Sequence, residues 1–160
     1  MIRYMRDTNT VSHLIRGNAT VGRRVVRVPM ARLCISAITK GELRFGLAKR
    51  AGATRLHAAV AEFLRRVDVL PWNSDTADRY GPARAALEFQ GRPLGPLDLL
   101  IAAPALSVGA VLVTNDRTFA QVADLACEDW QQFSFWSGGT AFQRHGRTCS
   151  GHPRSTGGAG

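Results

Sequence analysis

With 160 residues, 45% of them hydrophobic, the chain can bury a core of its own as one domain, so neither a metal nor a disulfide staple is required. Its 21 basic and 12 acidic side chains leave a formal charge of +9, which suits a polyanion such as nucleic acid, or an acidic protein, and identifies neither. Cys34, Cys127 and Cys149 are odd in number and include no Cys-x-x-Cys pair, which argues against a disulfide scaffold and fits a reducing compartment.

In chain order, Ile2 to Met5 is a short apolar-leaning run ending at Asp7 and predicts a first strand. No long apolar stretch follows the charges of this terminus, so no signal peptide is expected. Thr8 to Arg16 is predicted helical and stops at Gly17-Asn18, a common helix-terminating pair. A second short helical stretch ends before Pro29, and Leu33 to Ser36 predicts a strand. Helices are expected over Ile38 to Arg50, closed by Gly52, and over Thr54 to Arg66, where Leu56, Val60, Phe63 and Leu64 share a face. Val67 to Leu70 predicts a strand. Ser74 is expected to cap the next helix, with Asp75 and Asp78 in its first turn, and that helix to run to about Phe89.

A Gly- and Pro-rich loop, Gln90 to Pro96, precedes a helix beginning near Leu97. Val111 to Thr114 predicts a β-branched strand, followed by a short helix near Phe119. The most apolar region, Leu97 to Val113, is broken by Asp98, Pro104 and Gly109, and reads as a buried helix and strand, not a membrane span. A soluble, cytoplasmic protein is expected. Alternating strands and helices predict an α/β fold with a mainly parallel sheet covered on both faces. After Trp130 the chain has no acid and no periodicity, only repeated Gly, Ser, Thr and Arg. Residues 1–130 are therefore expected to form the domain, and 131–160 a disordered tail.

Ligands in open parallel α/β sheets sit beyond the carboxyl ends of the strands. Asp7 and Asp116 each follow a predicted strand, Asp98 lies in the first turn of a helix, and Glu42 shares a helix face with the core-directed Ile38 and Phe45. Taken singly, each acid is better explained as a cap, a turn former or a partner of a nearby lysine. Taken together, they fall where one pocket collects them. Crowded carboxylates repel unless a cation neutralises them. An all-oxygen donor set suits Mg²⁺ or Mn²⁺, whereas zinc would want His and Cys.

Four stretches carry a family resemblance: Met5-Arg-Asp-Thr-Asn-Thr-Val11, Ile35-Ser-Ala-Ile-Thr-Lys-Gly-Glu-Leu-Arg-Phe-Gly46, Pro96-Leu-Asp-Leu-Leu-Ile-Ala-Ala103 and Leu112-Val-Thr-Asn-Asp-Arg-Thr-Phe119. In this order, over roughly residues 1 to 130, they resemble the PIN domain, particularly the VapC-type toxins of bacterial toxin–antitoxin pairs. The resemblance implies a three-layer α/β/α sandwich and a metal-dependent endoribonuclease, with transfer RNA as the expected substrate. It implies catalytic roles for Asp7, Glu42, Asp98 and Asp116, with Asp7 and Asp98 holding Mg²⁺ or Mn²⁺, Thr8 supporting Asp7, and Asp116 reaching the metal directly or through water. Hydrolysis by in-line attack should leave a 3′-hydroxyl and a 5′-phosphate. A cognate VapB-type antitoxin that inserts a basic side chain into the acidic pocket, and a homodimer, are implied as well.

Arg6 stands where the family usually has a large aliphatic residue; if buried it is costly, unless it snorkels to the sheet edge. Pro104 falls inside a predicted helix, where it removes a backbone bond and can kink the helix. An attenuated or non-catalytic scaffold that still binds antitoxin or RNA is therefore one competing reading. Another is a haloacid-dehalogenase-like phosphatase with Asp7 as nucleophile, weakened by Asn9 where a second aspartate is wanted. His145, Cys149 and His152 lack a fourth zinc ligand, and His13 and His57 lack a catalytic partner. Trp72, Phe63 and Phe89 are expected in the core or an interface, and the pairs Arg23-Arg24, Lys49-Arg50 and Arg65-Arg66 on a solvated face.

Overall fold

The structure, a computed structural model, describes residues 1–131 and 134–137. Five strands run parallel: β1 (Tyr4–Arg6), β2 (Leu33–Ser36), β3 (Asp68–Leu70), β4 (Val111–Val113) and β5 (Ala126–Asp129). A sixth, β6 (Ser134–Ser137), joins β5 antiparallel, and the sheet order is β3-β2-β1-β4-β5-β6. Six α-helices connect them: α1 (Thr8–Ile15), α2 (Ala19–Val26), α3 (Ala37–Ala48), α4 (Thr54–Arg66), α5 (Ser74–Phe89) and α6 (Pro96–Val108).

The period-2 alternation of β1 sorts the two faces of the sheet. Met5 points into a cluster with Cys34, Leu112 and Cys127, covered by Leu87 of α5 and Leu99, Ile101, Ala102 and Ala105 of α6. Tyr4 and Arg6 point the other way. There Val11 of α1, Ile35 of β2, Leu43 and Leu47 of α3 and Val60 of α4 form a second cluster, and Leu33, Val113 and Trp130 a third. Helices on both faces of a mostly parallel sheet make the expected α/β/α sandwich. Among the described residues no helix is long and apolar enough to cross a membrane, and Cys34 and Cys127 are buried free thiols.

Most predicted elements lie within a residue or two of their expected places. The α5 cap is Asn73 rather than Ser74: the Asn73 side chain accepts from the Thr76 N–H at 3.1 Å, a bond Ser74 forgoes as the first helical residue. Strand β5 was not foreseen, because Ala-Cys-Glu-Asp carries no run of apolar or β-branched residues. Phe89, expected in the core or an interface, is 93% exposed on the chain alone. Of 131–160, Gln131 and β6 are described. The rest of the expected tail lies outside the described residues, as do His145, Cys149 and His152.

Helix α6 runs on through Pro104, and the sequence does not disclose how. A proline there cannot supply the N–H that would bond the carbonyl four residues back, at Leu100. The indole N–H of Trp72, in the loop after β3, donates to that carbonyl at 3.2 Å. The orphaned acceptor is thereby satisfied from outside the helix. Pro104 is buried rather than disruptive. Pro96 at the first position of α6 and Gly109 in the left-handed conformation at its end (φ 61°) fix the helix boundaries.

Candidate active site

The chain leaves β1 toward β2 on one side and reaches β4 on the other, so the crevice beyond the carboxyl ends of β1 and β4 is a topological switch point. Asp7 follows β1 and Asp116 lies three residues after β4. Both also have the local roles that their sequence context predicts. The Asp7 carboxylate caps α1, accepting from the Thr10 N–H at 2.7 Å. Asp116 caps the short 3-10 helix Arg117–Gln121, accepting from the Thr118 N–H at 2.9 Å and the Thr118 hydroxyl at 2.7 Å.

Capping does not exhaust these side chains. Asp7 is only 4% exposed, and burial pushes its carboxyl above the usual carboxylate range, while hydrogen bonds from Thr114 and Thr10 hold it back and the charge of Asp116 adds to the rise. Asp98, in the first turn of α6, is raised by its own burial and then by the charges of Asp116 and Asp7. Three segments distant in sequence thus place three carboxylates within one another's field. The three are near enough for the charge of Asp116 to act on both Asp7 and Asp98.

Glu42 belongs to an adjoining space. It lines a cavity of about 290 Å³ with Thr8, Ser12, Arg16, Lys49 and Arg50. Thr8 links the two regions, since it follows Asp7 directly, and its buried hydroxyl has no hydrogen-bond partner. Glu42 forms no ion pair with Lys40 or Lys49 among the described residues; Lys49 instead lies 5.3 Å from the Phe45 ring centroid.

Whether these residues fit a divalent ion can be asked of the donors themselves. They are all oxygens, they repel one another, and an orphaned hydroxyl lies beside them; hard cations such as Mg²⁺ and Mn²⁺ match that set. As the side chains stand, no group of three His, Cys, Asp or Glu residues among the described ones is gathered closely enough to hold an ion. Asp7 and Asp116 are turned onto their own helix caps. By the chemistry of their donors, the residues fit the ion.

Two contributors escaped the sequence reading. Thr114 is 1% exposed, hydrogen-bonds Asp7, and accepts from the Asp116 N–H at 3.0 Å, so its hydroxyl ties both acids to the end of β4. A Thr two residues before an Asp is a local turn signal that the sequence does carry. Gly95 caps α6, and a Cβ there would lie 2.7 Å from Asp98 Oδ2. Its φ of −54° suits any residue, so glycine is needed for space.

Arg6 is wholly buried, so it does not snorkel to the sheet edge. Its guanidinium carbon lies 4.9 Å from the centroid of the Phe63 ring, and Nε, Nη1 and Nη2 have no hydrogen-bond partner. Burial pushes it down to about 10. It points away from the carboxylate-bearing edge toward α4, so it neutralises none of the acids.

Known proteins are similar to this chain. The PIN domain family model matches residues 4–125. The tRNA(fMet)-specific endonuclease VapC of Shigella flexneri is 37% identical over 131 residues, 81% of this chain and 99% of that protein. Ribonuclease VapC2 of Haemophilus influenzae is 34% identical over the same shares. Among solved structures, DNA-bound VapBC from Salmonella typhimurium superposes with a TM-score of 0.75 at 37% identity, covering 81% of this chain and 99% of that one. VapBC2 from Rickettsia felis, bound to a promoter DNA fragment, gives 0.74 at 29% identity, with the same coverage.

Proposed function

The chain belongs to the PIN-domain family, in its VapC branch, and on that premise we propose that it is a metal-dependent endoribonuclease, the toxin half of a toxin–antitoxin pair. The observation that carries this reading is the elevation of Asp7 and of Asp98, to both of which the charge of Asp116 contributes, at the switch point of the sheet. Asp7 and Asp98 are the metal ligands and Asp116 completes the cluster, with Mg²⁺ or Mn²⁺ as the ion. When bound, the ion supplies Lewis-acid polarisation of a phosphoryl oxygen and lowers the pKa of water.

The chain's own residues do the rest. Asp7 would be the fixed ligand, held by Thr10 and Thr114 in a buried position at the end of β1. Asp98 is the adjustable ligand, on a helix N-terminus that opens into Gly95. Glu42, across Thr8, faces the same cavity as Arg16, Lys49 and Arg50, whose cations suit the phosphates on either side of the scissile bond. In this reading Glu42 takes the proton of an attacking water.

Transfer RNA is the substrate that the Shigella relative's name points to, and the VapBC complexes point to a VapB-type antitoxin as partner. We further propose a homodimer acting in the cytoplasm, with residues 1–130 as the nuclease domain. The test is cleavage of total transfer RNA by purified protein with Mg²⁺ or Mn²⁺. We expect cleavage that is abolished by chelator and in Asp7→Asn. Metal-independent cleavage would overturn the reading, as would intact acids that bind no ion by calorimetry.

A further inference from the structure

Asp98 lies in the first turn of α6, whose N-terminus has no side-chain cap, so the axis of that helix sets where its backbone sits. The same helix contains Pro104. An interior proline is the usual place for a helix to bend, because its ring crowds the carbonyl four residues back and gives it no N–H. Asp98 is six residues before Pro104, about 9 Å along the axis at about 1.5 Å per residue. A turn of about 10° at the proline would therefore move the backbone beneath Asp98 by about 1.6 Å. Metal–oxygen distances hold to about 0.2 Å, so a helix free to bend there could not keep a ligand in place.

The segment from Trp72 to Thr76 holds α6 on both sides of that proline. Before it, the Trp72 indole N–H donates at 3.2 Å to the carbonyl of Leu100, two residues beyond Asp98. After it, the Ser107 hydroxyl donates to the Pro104 carbonyl at 3.0 Å and lies 3.4 Å from the hydroxyl of Thr76. Thr76 in turn donates to the Asn73 side chain at 3.0 Å. Trp72 is itself steadied, since its ring meets Tyr80 edge-on with centroids 5.7 Å apart, and Asn73 beside it caps α5. Held at Leu100 and again at Pro104, the two halves of α6 keep one direction.

We propose that Trp72 is a positioning residue: by its bond to Leu100 it fixes the direction of the N-terminal half of α6, and so the place from which Asp98 reaches the cleavage centre. That Asp98 there binds an ion rests on the nuclease reading. That Trp72 braces the helix does not, because it follows from the indole bond and the proline. The proline is what makes the indole matter, since any other residue at 104 would give the Leu100 carbonyl an N–H from within the helix.

The experiment uses the full chain as wild type, Trp72→Phe, Pro104→Ala and the double variant, each shown to be folded by thermal melting. Val21→Ala, which opens the buried packing of α2, is the control for lost stability alone. Residual dipolar couplings of the backbone amides, measured without metal, give the direction of residues 98–100 relative to 105–108. Calorimetry gives the affinity for Mn²⁺. Trp72→Phe should turn 98–100 by about 10° or more and weaken Mn²⁺ binding about tenfold. In the Pro104→Ala background the same change should leave the direction in place and alter the affinity by less than about twofold. Val21→Ala should bind as the wild type does. Unchanged couplings in Trp72→Phe would overturn the proposal, as would an equal loss of affinity with and without the proline. A turned helix with undiminished affinity would overturn Asp98 as the group the brace serves. A wild type that binds no Mn²⁺ yet shows the proline-dependent turn would uphold the brace and overturn the nuclease reading, so the two failures are distinct.

Discussion

Replacing Arg6 by methionine should make the free protein more stable. The side chain is wholly buried, its three guanidinium nitrogens lack acceptors, and burial pushes its titration down to about 10. Each pKa unit corresponds to about 1.4 kcal/mol, so the charged form is disfavoured in the folded state by roughly 3 kcal/mol. Against this stands the loss of the Phe63 ring contact, about 1 kcal/mol, part of which the methionine sulfur restores. Methionine fills a similar volume, so no large cavity term is added. A net gain of about 2 kcal/mol follows, or a rise in Tm of roughly 4–8 °C for a chain of this size. A group whose pKa is lowered by folding destabilises most while it is charged. The gain should therefore be flat below about pH 9 and shrink as pH rises through about 10. Urea denaturation of the metal-free wild type and variant, across that range, measures it. An Arg6→Met protein that is less stable than wild type would show that the guanidinium has partners this structure does not give it, and the reasoning would fail.

Three further outcomes are expected. Asp7 and Asp98 are raised by folding, so the folded protein holds more protons than the unfolded chain above the usual carboxylate range. Metal-free stability should accordingly fall as pH rises from about 4, and Asp7→Asn should flatten that slope in a series of thermal melts. Gly95→Ala should leave stability nearly unchanged, because the flexible Asp98 carboxylate swings away from the new methyl, but should weaken Mn²⁺ binding about tenfold by calorimetry; undiminished affinity would remove Asp98 from the ligand set. Trp72→Phe should lower stability by about 1–3 kcal/mol through the deserted Leu100 carbonyl, and adding Pro104→Ala should recover most of that loss in urea melts.

What the sequence made legible follows the range of the forces involved. Hydrophobic periodicity and local caps located most helices and strands, because those signals are written within a few residues. The same locality placed Asp7 and Asp116 after strands and Asp98 in a first turn, which is enough to aim three acids at one edge. It did not reveal β5, whose pairing with β4 supplies what its composition lacks. Nor did it reveal that Glu42 stands apart from the three aspartates across Thr8, since that separation depends on how α3 packs. Gly95 looked like loop chemistry and turned out to be clearance for a carboxylate. Arg6 left two readings open, and only the depth of its position under Phe63 decides for burial.

The Trp72–Leu100 bond makes positions 72 and 104 unequal partners. Introducing the proline of α6 into a chain with no indole at 72 would strand a carbonyl, whereas gaining the indole first leaves every group provided for. The proline thus depends on the tryptophan, and the tryptophan does not depend on the proline. Losing the indole while the proline stays costs about 1–3 kcal/mol, and losing it after the proline has gone costs less. Helix α6 also bears Asp98 in its first turn, so the carbonyl that Trp72 satisfies lies within one turn of a proposed metal ligand.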